Sequence, residues 1–156
     1  MAITVTRIDE RLIHGQVAYS WSVAYQITQI VVVDNEVAKD PTQVMLLELA
    51  VPTGKKHAIL TVDDAVNYLN QQPQSEKILL VVKGPDTLIS LVDKGIELVS
   101  INVGGMYYKA GKKEISKTVY VDSNDEAAFL NLKEKGIVCE IRTSPSDKSI
   151  NLFDRI

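Results

Sequence analysis

The sequence is poor in the residues from which disulfide frameworks, metal sites and membrane spans are built. Its 156 residues include one cysteine, Cys139, so no disulfide can form within the chain. The two histidines, His14 and His57, are not spaced as metal ligands. No stretch approaches the roughly twenty consecutive apolar residues that a membrane-spanning helix needs. We therefore expect a cytoplasmic protein that holds no metal or other cofactor.

The sequence also has no excess of positive charge. Seventeen Lys and Arg face 20 Asp and Glu, for a net charge of −3, and there is no basic block of the kind that binds nucleic acid. Hydrophobic residues make up 46% of the chain, which is enough for one ordinary core. A single globular domain over residues 1–156, without a nucleic-acid partner, is the expectation.

What the chain does have is a series of short runs rich in β-branched residues. Runs such as "ILLVV" are apolar throughout, which is typical of parallel strands covered on both faces. Seven strands are predicted: Ile3–Ile8, Gln29–Asp34, His57–Thr61, Lys77–Lys83, Leu98–Val103, Thr118–Asp122 and Val138–Thr143.

Segments with helical spacing and recognisable ends lie between most of these strands. Asp40 followed by Pro41 predicts a helix start, as do Thr61 with Asp63, and Pro85. The segment Ser123–Gly136 has acidic residues at its start and lysines at its end. After Gly15, a helical repeat of Val17, Trp21 and Ala24 predicts a helix with Trp21 facing the core.

The alternation of strands and helices indicates the fold class. We predict a single-domain α/β protein with an open, mainly parallel, twisted β-sheet of about seven strands and helices on both faces. The exception is "GGMYYKAGKKEIS", which is too short for a crossover helix and is interpreted as a loop or small hairpin with Gly111 at its turn.

The stretch "RIDERLIHGQV", Arg7 to Val17, runs from the end of the first predicted strand into the first helix. In such folds ligands bind beyond the carboxyl ends of the strands. Backbone N–H groups near Gly15 and Gln16 then lie at a helix N-terminus, which attracts anions. Arg7 and Arg11 add guanidinium groups, whose geometry matches phosphate oxygens. The combination predicts a phosphoryl-binding site.

His14 lies within this loop and gives it chemistry beyond binding. Neutral imidazole is well populated near pH 7 and has one ring nitrogen with a free lone pair, so His14 can act as a nucleophile toward phosphorus. The alternative is that His14 is a structural residue or an exposed cap, with Arg7 and Arg11 as solvated salt-bridge partners of Asp9 and Glu10.

Other segments carry weaker signals. "NVGG", Asn102 to Gly105, permits close backbone approach to a ligand or forms a tight turn. Asp34 resembles the acidic residue of dinucleotide-binding folds, but the first loop has no G-x-G-x-x-G, so NAD binding is not predicted. His57 is interpreted as structural and Cys139 as a small buried hydrophobe. The loops after Asp34 and from Asn102 to Tyr108, including Met106, are candidates for a docking surface.

The stretch "RIDERLIHGQV" is similar to the signature of the IIB subunits of the mannose-fructose-sorbose family of the bacterial sugar phosphotransferase system. The resemblance continues through "VVVDNEVAKDP", "ILLVVKGP", "INVGGM" and "KTVYVD", and so covers nearly the whole chain. It implies a phosphoryl relay in sugar uptake. His14 matches the phosphohistidine of the family, which is phosphorylated at Nδ1, and Arg11 and Arg7 match its basic positions.

The resemblance also implies the partners. A IIA protein donates the phosphoryl group, and the sugar that receives it enters through the membrane subunits IIC and IID, with which the chain associates peripherally. The motif sequences are similar to those of the N-acetylgalactosamine and galactosamine branch of the family. Mannose, fructose and sorbose remain alternative substrates. A homodimer is also left open.

Two other classes of function remain as alternatives at this point. A phosphohistidine hydrolase or mutase also uses Arg, His and Gly beside phosphate, but this chain has "IHG" in place of a contiguous Arg-His-Gly and offers no evident second catalytic histidine. A non-catalytic binding module would make His14 structural.

Overall fold

A computed structural model describes residues 2–156 and shows an α/β fold. Its strands are β1 (Ile3–Asp9), β2 (Gln29–Val33), β3 (Lys56–Leu60), β4 (Ile78–Val82), β5 (Ser100–Gly105), β6 (Lys113–Ser116), β7 (Val119–Val121), β8 (Val138–Ile141) and β9 (Ile150–Asn151). Its α-helices are α1 (Gly15–Ala24), α2 (Pro41–Ala50), α3 (Val62–Asn70), α4 (Pro85–Asp93) and α5 (Ser123–Glu134).

Seven strands form the main sheet, in the order β3-β2-β4-β1-β5-β8-β9. Every neighbouring pair is parallel except β8 with β9. The predicted sheet of about seven mainly parallel strands is therefore confirmed. Because the parallel strands all end at one edge, the loop from β1 to α1 lies at the edge where ligands bind in such sheets.

The prediction of which strands form this sheet was wrong at one position. The run Thr118–Asp122 contains β7, which pairs antiparallel with β6 in a separate two-stranded sheet, and the seventh main-sheet strand is β9. Val119 and Val121 are buried in the same core as the main sheet. A buried β-branched run therefore does not reveal the sheet to which it belongs.

The position of the hairpin turn also differs from the prediction. The chain reverses between β6 and β7 at Lys117 and Thr118, whereas Gly111 belongs to an earlier turn closed by Lys112 N–H donating to the Lys109 carbonyl at 3.0 Å. Gly111 has a φ of 88°, a left-handed conformation that favours glycine. The glycine signal marked a real turn, but not the turn of the hairpin.

The sheet separates two hydrophobic cores. Alternate residues of one strand point to opposite faces, so Val31 of β2 lies in one core and Val32 in the other. Buried residues of α3, α4 and α5 cover the first face, and those of α1 cover the second, where Leu47 and Ala50 of α2 pack as partly buried neighbours. The predicted helices on both faces are confirmed.

The helix starts follow the predicted capping residues. Asp40 accepts hydrogen bonds from the backbone N–H groups of Thr42 and Gln43, at 3.0 and 3.3 Å, and Pro41 occupies the first helical position. Thr61 caps α3 by accepting from Asp64 N–H. Among the helices of residues 2–156, none combines the length and apolarity needed to cross a bilayer.

Helix α1 buries a slightly different stripe from the one predicted. Trp21 is fully buried as expected, but Ala24 is exposed and Val17 only half-buried. The buried positions are Ala18, Trp21 and Ser22. The buried stripe of α1 thus includes two small residues, Ala18 and Ser22, beside Trp21.

Cys139 lies on β8 and is buried, as predicted. Burial raises the pKa of its thiol to about 12, because the apolar surroundings disfavour the thiolate. The side chain therefore acts as a small apolar residue of the core rather than as a nucleophile.

We predict that Leu80→Ala in the central strand β4 lowers the free energy of unfolding by about 2–5 kcal/mol, because Leu80 is fully buried and its truncation leaves a cavity. Leu49→Ala on α2 is the control, since Leu49 is 78% exposed. Urea denaturation of both variants checks this. Equal midpoints for the two variants would contradict the assignment of Leu80 to the core.

Candidate functional site

The site is built on the five-residue loop that joins β1 to α1. The loop turns where Leu12 N–H donates to the Asp9 carbonyl at 2.8 Å, and Glu10 N–H donates to the Gly105 carbonyl at 3.0 Å. Leu12 has a φ of 61°, which is uncommon and strained for a residue other than glycine. Burial of the Leu12 and Ile13 side chains in the core beneath holds the loop in this shape.

His14 is the N-cap residue of α1, with extended backbone angles. Its side chain is 22% exposed, and Nε2 lies 3.9 Å from Oδ2 of Asp9, close for a charge interaction but too long for a hydrogen bond. Both ring nitrogens are buried, with no hydrogen-bond partner among residues 2–156. The imidazole is folded against the loop, with its nitrogens covered.

The surroundings of His14 favour its neutral form. Burial lowers the pKa of His14 below its usual value, and the positive charges of Arg11 and Arg7 act in the same direction. The carboxylate of Asp9 opposes them by stabilising the imidazolium. His14 is therefore mainly an uncharged imidazole near pH 7, the form that has a lone pair for attack.

The first turn of α1 provides backbone donors beside His14. The first backbone N–H groups of a helix have no hydrogen-bond partner within the helix. In α1 these are the N–H groups of Gly15, Gln16 and Val17, and the side chain of the N-cap residue, His14, does not accept a hydrogen bond from them. Gly15 and Gln16 are exposed, and Gly15 has a φ of 34°. The Arg11 side chain is half exposed, with Nε 3.7 Å from Oδ1 of Asp9. The structure thus brings His14, Arg11, Gly15 and Gln16 together at one surface.

Arg7 lies beneath this surface rather than on it. It is 2% exposed, and Nη2 donates to Oδ2 of Asp9 at 3.2 Å. Nη1 donates to Oδ1 of Asn102 and, at 3.1 Å, to the carbonyl of Arg142. Burial lowers the pKa of Arg7, with Asp9 acting in the opposite direction, and the guanidinium remains charged at neutral pH. The alternative drawn from the sequence paired Arg7 with Asp9 correctly, but the pair is buried and not solvated.

The two glycines of "NVGG" are explained by this guanidinium. Gly104 lies on β5, and a Cβ at that position would overlap the guanidinium of Arg7. A Cβ on Gly105 would come within 3.1 Å of Oδ1 of Asp9. Both glycines lie within β5 and not in a tight turn. They make room for the buried ion pair.

Trp21 and the segment after β8 close the far side of Arg7. The guanidinium carbon of Arg7 lies 5.2 Å from the centre of the Trp21 ring, and that of Arg142 lies 5.8 Å from it. Trp21 Nε1–H donates to the carbonyl of Thr143 at 3.2 Å. Arg7 is thereby fixed between β1, β5, α1 and the end of β8.

The segment after β5 borders the loop on its other side. Tyr107 N–H donates to Oε2 of Glu10, and Lys109 Nζ lies 3.8 Å from Oε1 of Glu10. Burial raises the pKa of the Tyr107 phenol, and the charges of Asp9 and Glu10 raise it further while Arg11 opposes them. Tyr107 and Tyr108 are exposed, at 43% and 65%.

Two candidates for the docking surface have other roles in the structure. Met106 is 2% exposed and packs in the core, so the prediction that it faces a partner was wrong. It is buried because its backbone pairs with the hairpin at Thr118 and Tyr120. Asp34 accepts hydrogen bonds from the N–H groups of Glu36 and Val37, at 3.0 and 2.9 Å, and thus caps the turn after β2.

Sequence reasoning missed the burial of Asp9 and the contacts of Arg7 with Asn102 and Arg142. Asp9 is fully buried, and its Oδ1 accepts from Arg11 N–H at 3.0 Å while Oδ2 accepts from Arg7. A carboxylate at the end of a buried strand, two residues after an arginine, is a signal for such a pair. The carbonyl of Arg142 lies 135 residues from Arg7 in the chain, and no sequence pattern indicates that contact.

The chain was compared with known proteins. The family model described as PTS system sorbose subfamily IIB component matches residues 3–156. This chain belongs to that family. The IIB components of this family are phosphotransferase components of the sugar phosphotransferase system, so the enzyme class implied by the opening motif is confirmed.

Relatives of this IIB chain cover it almost completely. It is 39% identical over 151 residues to the N-acetylgalactosamine-specific phosphotransferase enzyme IIB component 2 of Escherichia coli, which covers 97% of this chain and 96% of the relative. It is 40% identical over 157 residues to the sorbose-specific EIIB component of Lacticaseibacillus casei, covering 100% and 96%. The crystal structure of the IIB domain of the sorbose permease from Klebsiella pneumoniae matches with a TM-score of 0.93 and 34% identity, over 99% of this chain and 96% of that one.

We predict that Gly104→Ala destabilises this IIB chain by about 1–3 kcal/mol, because the added methyl group displaces the buried guanidinium of Arg7. Thermal unfolding checks this. A double-mutant cycle supplies the control. In an Arg7→Ala background, Gly104→Ala should cost little, because the overlapping group is gone. Equal costs of Gly104→Ala in both backgrounds would show that Arg7 is not the reason for the glycine.

Proposed function

We propose that this IIB component is a phosphoryl relay in sugar uptake, with His14 as the residue that carries the phosphoryl group. It accepts the group from a phosphorylated IIA protein and transfers it to a sugar that enters through the membrane subunits IIC and IID. The observation that carries the proposal is the arrangement at the start of α1, where a neutral histidine adjoins free backbone amides and the exposed guanidinium of Arg11.

The transfer is a pair of in-line displacements at phosphorus. In the first, Nδ1 of His14 forms the N–P bond while the bond from phosphorus to the donor's histidine breaks, and the donor nitrogen keeps the electron pair. In the second, a sugar hydroxyl attacks the same phosphorus and releases its proton to solvent, while the N–P bond breaks and His14 leaves with the electron pair as a neutral imidazole. Arg11 and the amides of Gly15 and Gln16 stabilise the negative charge on the phosphoryl oxygens.

Asp9 selects the ring nitrogen that reacts. Its carboxylate lies on the Nε2 side of the imidazole, which favours the tautomer with hydrogen on Nε2. That tautomer leaves the lone pair on Nδ1. Because Asp9 also stabilises positive charge on the ring, it assists the departure or arrival of the phosphoryl group, when the ring carries more positive charge.

The role of Arg7 is revised from the one that the sequence indicated. Its guanidinium is engaged by Asp9, Asn102 and the Arg142 carbonyl, and it is almost fully buried. We propose that Arg7 holds Asp9 in place and adds positive charge from below. Direct binding of the phosphoryl oxygens falls to Arg11 and the helix amides.

The ring of His14 has to move before it reacts. Both of its nitrogens are buried, and neither has a hydrogen-bond partner in residues 2–156, so the resting position is not held by hydrogen bonds. Rotation of the side chain exposes Nδ1 toward the amides of α1. Docking of a partner on the surface around His14 supplies the remaining enclosure.

The two partners are proposed to dock in turn on this edge of the sheet, on the cytoplasmic side of the membrane. The exposed Tyr107 and Tyr108 belong to that surface, and Glu10 links their segment directly to the loop of His14. The alternative of a phosphohistidine hydrolase or mutase receives no support from His57. That residue lies near the start of β3, away from the carboxyl edge, and its Nε2 contacts Glu48 at 2.9 Å.

For the sugar, we propose an amino sugar such as N-acetylgalactosamine. The support is the resemblance of the motifs to that branch and the similarity to an N-acetylgalactosamine-specific relative. A sorbose-specific relative is equally similar, so the sugar is the part of the proposal that most needs an experiment.

The central prediction is that phosphoenolpyruvate, the general system proteins and a family IIA place one phosphoryl group on the wild-type chain and none on His14→Ala. His57→Ala is the matched control and should accept one group, because His57 is structural. Intact-mass analysis under alkaline conditions preserves the bond to histidine. Labelling of His14→Ala, or steady release of inorganic phosphate by the wild type, would contradict the relay.

The same phosphorylated protein tests the sugar. Membranes containing the cognate IIC and IID are added with N-acetylgalactosamine, sorbose, mannose or fructose in turn, and the loss of the phosphoryl group is followed by mass. N-acetylgalactosamine should discharge the protein fastest. Faster discharge by sorbose, mannose or fructose would correct the sugar and leave the role of His14 unchanged.

We predict that Asp9→Asn, assayed at a temperature at which this destabilised variant is still folded, slows phosphorylation of His14 about tenfold, because the charge that orients the ring is lost. The pKa of His14 should fall further, since the carboxylate of Asp9 raises it. In the wild type, the rate of phosphorylation should not yet fall at pH 6.5, the usual histidine pKa, because burial lowers the pKa of His14 and keeps the ring neutral there. Nitrogen chemical shifts of His14 report its tautomer and pKa, and a pKa unchanged or raised in Asp9→Asn would rule out this role.

A further inference from the structure

Helices α1 and α2 pack on the same face of the sheet, and each carries exposed apolar residues. Tyr19 and Val23 of α1 are 57% and 58% exposed. On α2, Met45, Leu46 and Leu49 are 53%, 58% and 78% exposed. We call these five residues the α1–α2 face. They make up half of the exposed large hydrophobic side chains among residues 2–156. An apolar surface gathered on two adjacent elements is typical of an interaction site.

The α1–α2 face also lacks charge. The sequence of α1, "GQVAYSWSVA", contains no charged residue, although one side of the helix faces solvent. That of α2, "PTQVMLLELA", contains only Glu48, whose carboxylate is occupied by His57. Solvent-facing sides of helices are ordinarily charged or polar. The composition of this face fits a surface that a partner covers.

The α1–α2 face is continuous with the phosphoryl site. Gly15, Tyr19 and Val23 follow one another at intervals of four along α1, so they form one stripe of the helix. A cleft of about 410 Å³ follows this stripe, bordered by Gly15, Tyr19 and Val23 on one side and by Ala50, Pro52 and the cationic Lys55 on the other. A partner that occupies the cleft therefore also borders the helix N-terminus where His14 lies.

We propose that the α1–α2 face is the docking surface for the cytoplasmic side of the membrane subunits that receive the phosphoryl group. This inference rests on the relay proposed above, because it takes His14 as the point of transfer. A second copy of this chain bound on the face would cover Gly15 and restrict access to His14. A transfer partner, in contrast, has to approach this point.

The absence of charge distinguishes the membrane subunits from the soluble donor. Brief encounters between soluble proteins depend on complementary charges that accelerate association. Apolar interfaces are typical of longer-lived assemblies. The five residues of the face are uncharged, and the charged groups beside them are one of each sign, Glu48 and Lys55. The face therefore gives a passing donor little net electrostatic attraction, whereas it suits a subunit that remains at the transporter through many transfers.

The test uses full-length chains with glutamine in place of the exposed apolar residues, which preserves helix propensity. One variant carries Leu46→Gln and Leu49→Gln, and a second carries Tyr19→Gln and Val23→Gln. A matched control carries Val99→Gln and Leu130→Gln, which are 81% and 46% exposed and lie on neither helix. Urea denaturation verifies that all the chains fold.

Two rates are measured on each chain. These are phosphorylation by phosphorylated IIA in solution, and sugar-dependent loss of the phosphoryl group to membranes containing IIC and IID. We expect both face variants to lose about tenfold in the second rate at limiting membrane concentration, as for other buried interface anchors. Phosphorylation by IIA should be unchanged, and the control should behave as the wild type.

Other outcomes overturn the proposal. A slower first step, alone or together with the second, would assign the face to the donor. A smaller assembly in solution for the face variants would assign it to a second copy. Rates equal to the wild type would show that the face is not used. A wild-type chain that accepts no phosphoryl group would instead refute the relay itself, and the inference with it.

Discussion

The buried ion pair between Arg7 and Asp9 is the interaction on which the site depends. Arg7 joins β1 to Asn102 on β5 and to the Arg142 carbonyl at the end of β8, and it lies against Trp21 of α1. Asp9 in turn accepts the Arg11 amide and lies beside His14. One guanidinium thus links three strand ends and a helix to the loop that carries His14. Loss of either partner would leave an uncompensated charge in the interior, which is strongly destabilising.

In this arrangement, the groups available to bind a phosphoryl group are exposed, and the groups that position them are buried. Permanent positive charge lies close beneath the loop but is largely neutralised by Asp9, while the exposed charge belongs to Arg11. The proposed relay requires that division, since excessive stabilisation of bound phosphate would slow its onward transfer. An uncharged His14 fits the same requirement, because in the proposed transfer the ring becomes positive only as it reacts.

Much of the fold could be predicted from local patterns. The caps at Asp40 and Thr61 and the apolar runs of β2 and β4 depend on residues close in the chain, and their prediction was correct. The place of Val119 and Val121 could not be predicted, because a buried β-branched run fits either sheet. At the site, His14, Arg11, Gly15 and Gln16 are neighbours in one short motif, and the structure brings them together. The burial of Arg7 depends on Asn102, Gly104 and Arg142, which are distant in the chain.

The loop of His14 lies over the smaller of the two cores, where α1 and the partly buried α2 cover the sheet. Leu12 and Ile13 are part of that core, so the shape of the loop is only as stable as the layer beneath it. Local opening of a protein begins where the least apolar surface is buried. The amides of α1 and α2 should therefore exchange with solvent deuterium sooner than those of α4 and α5. The half of the molecule that carries His14 is thus also the half that opens most readily.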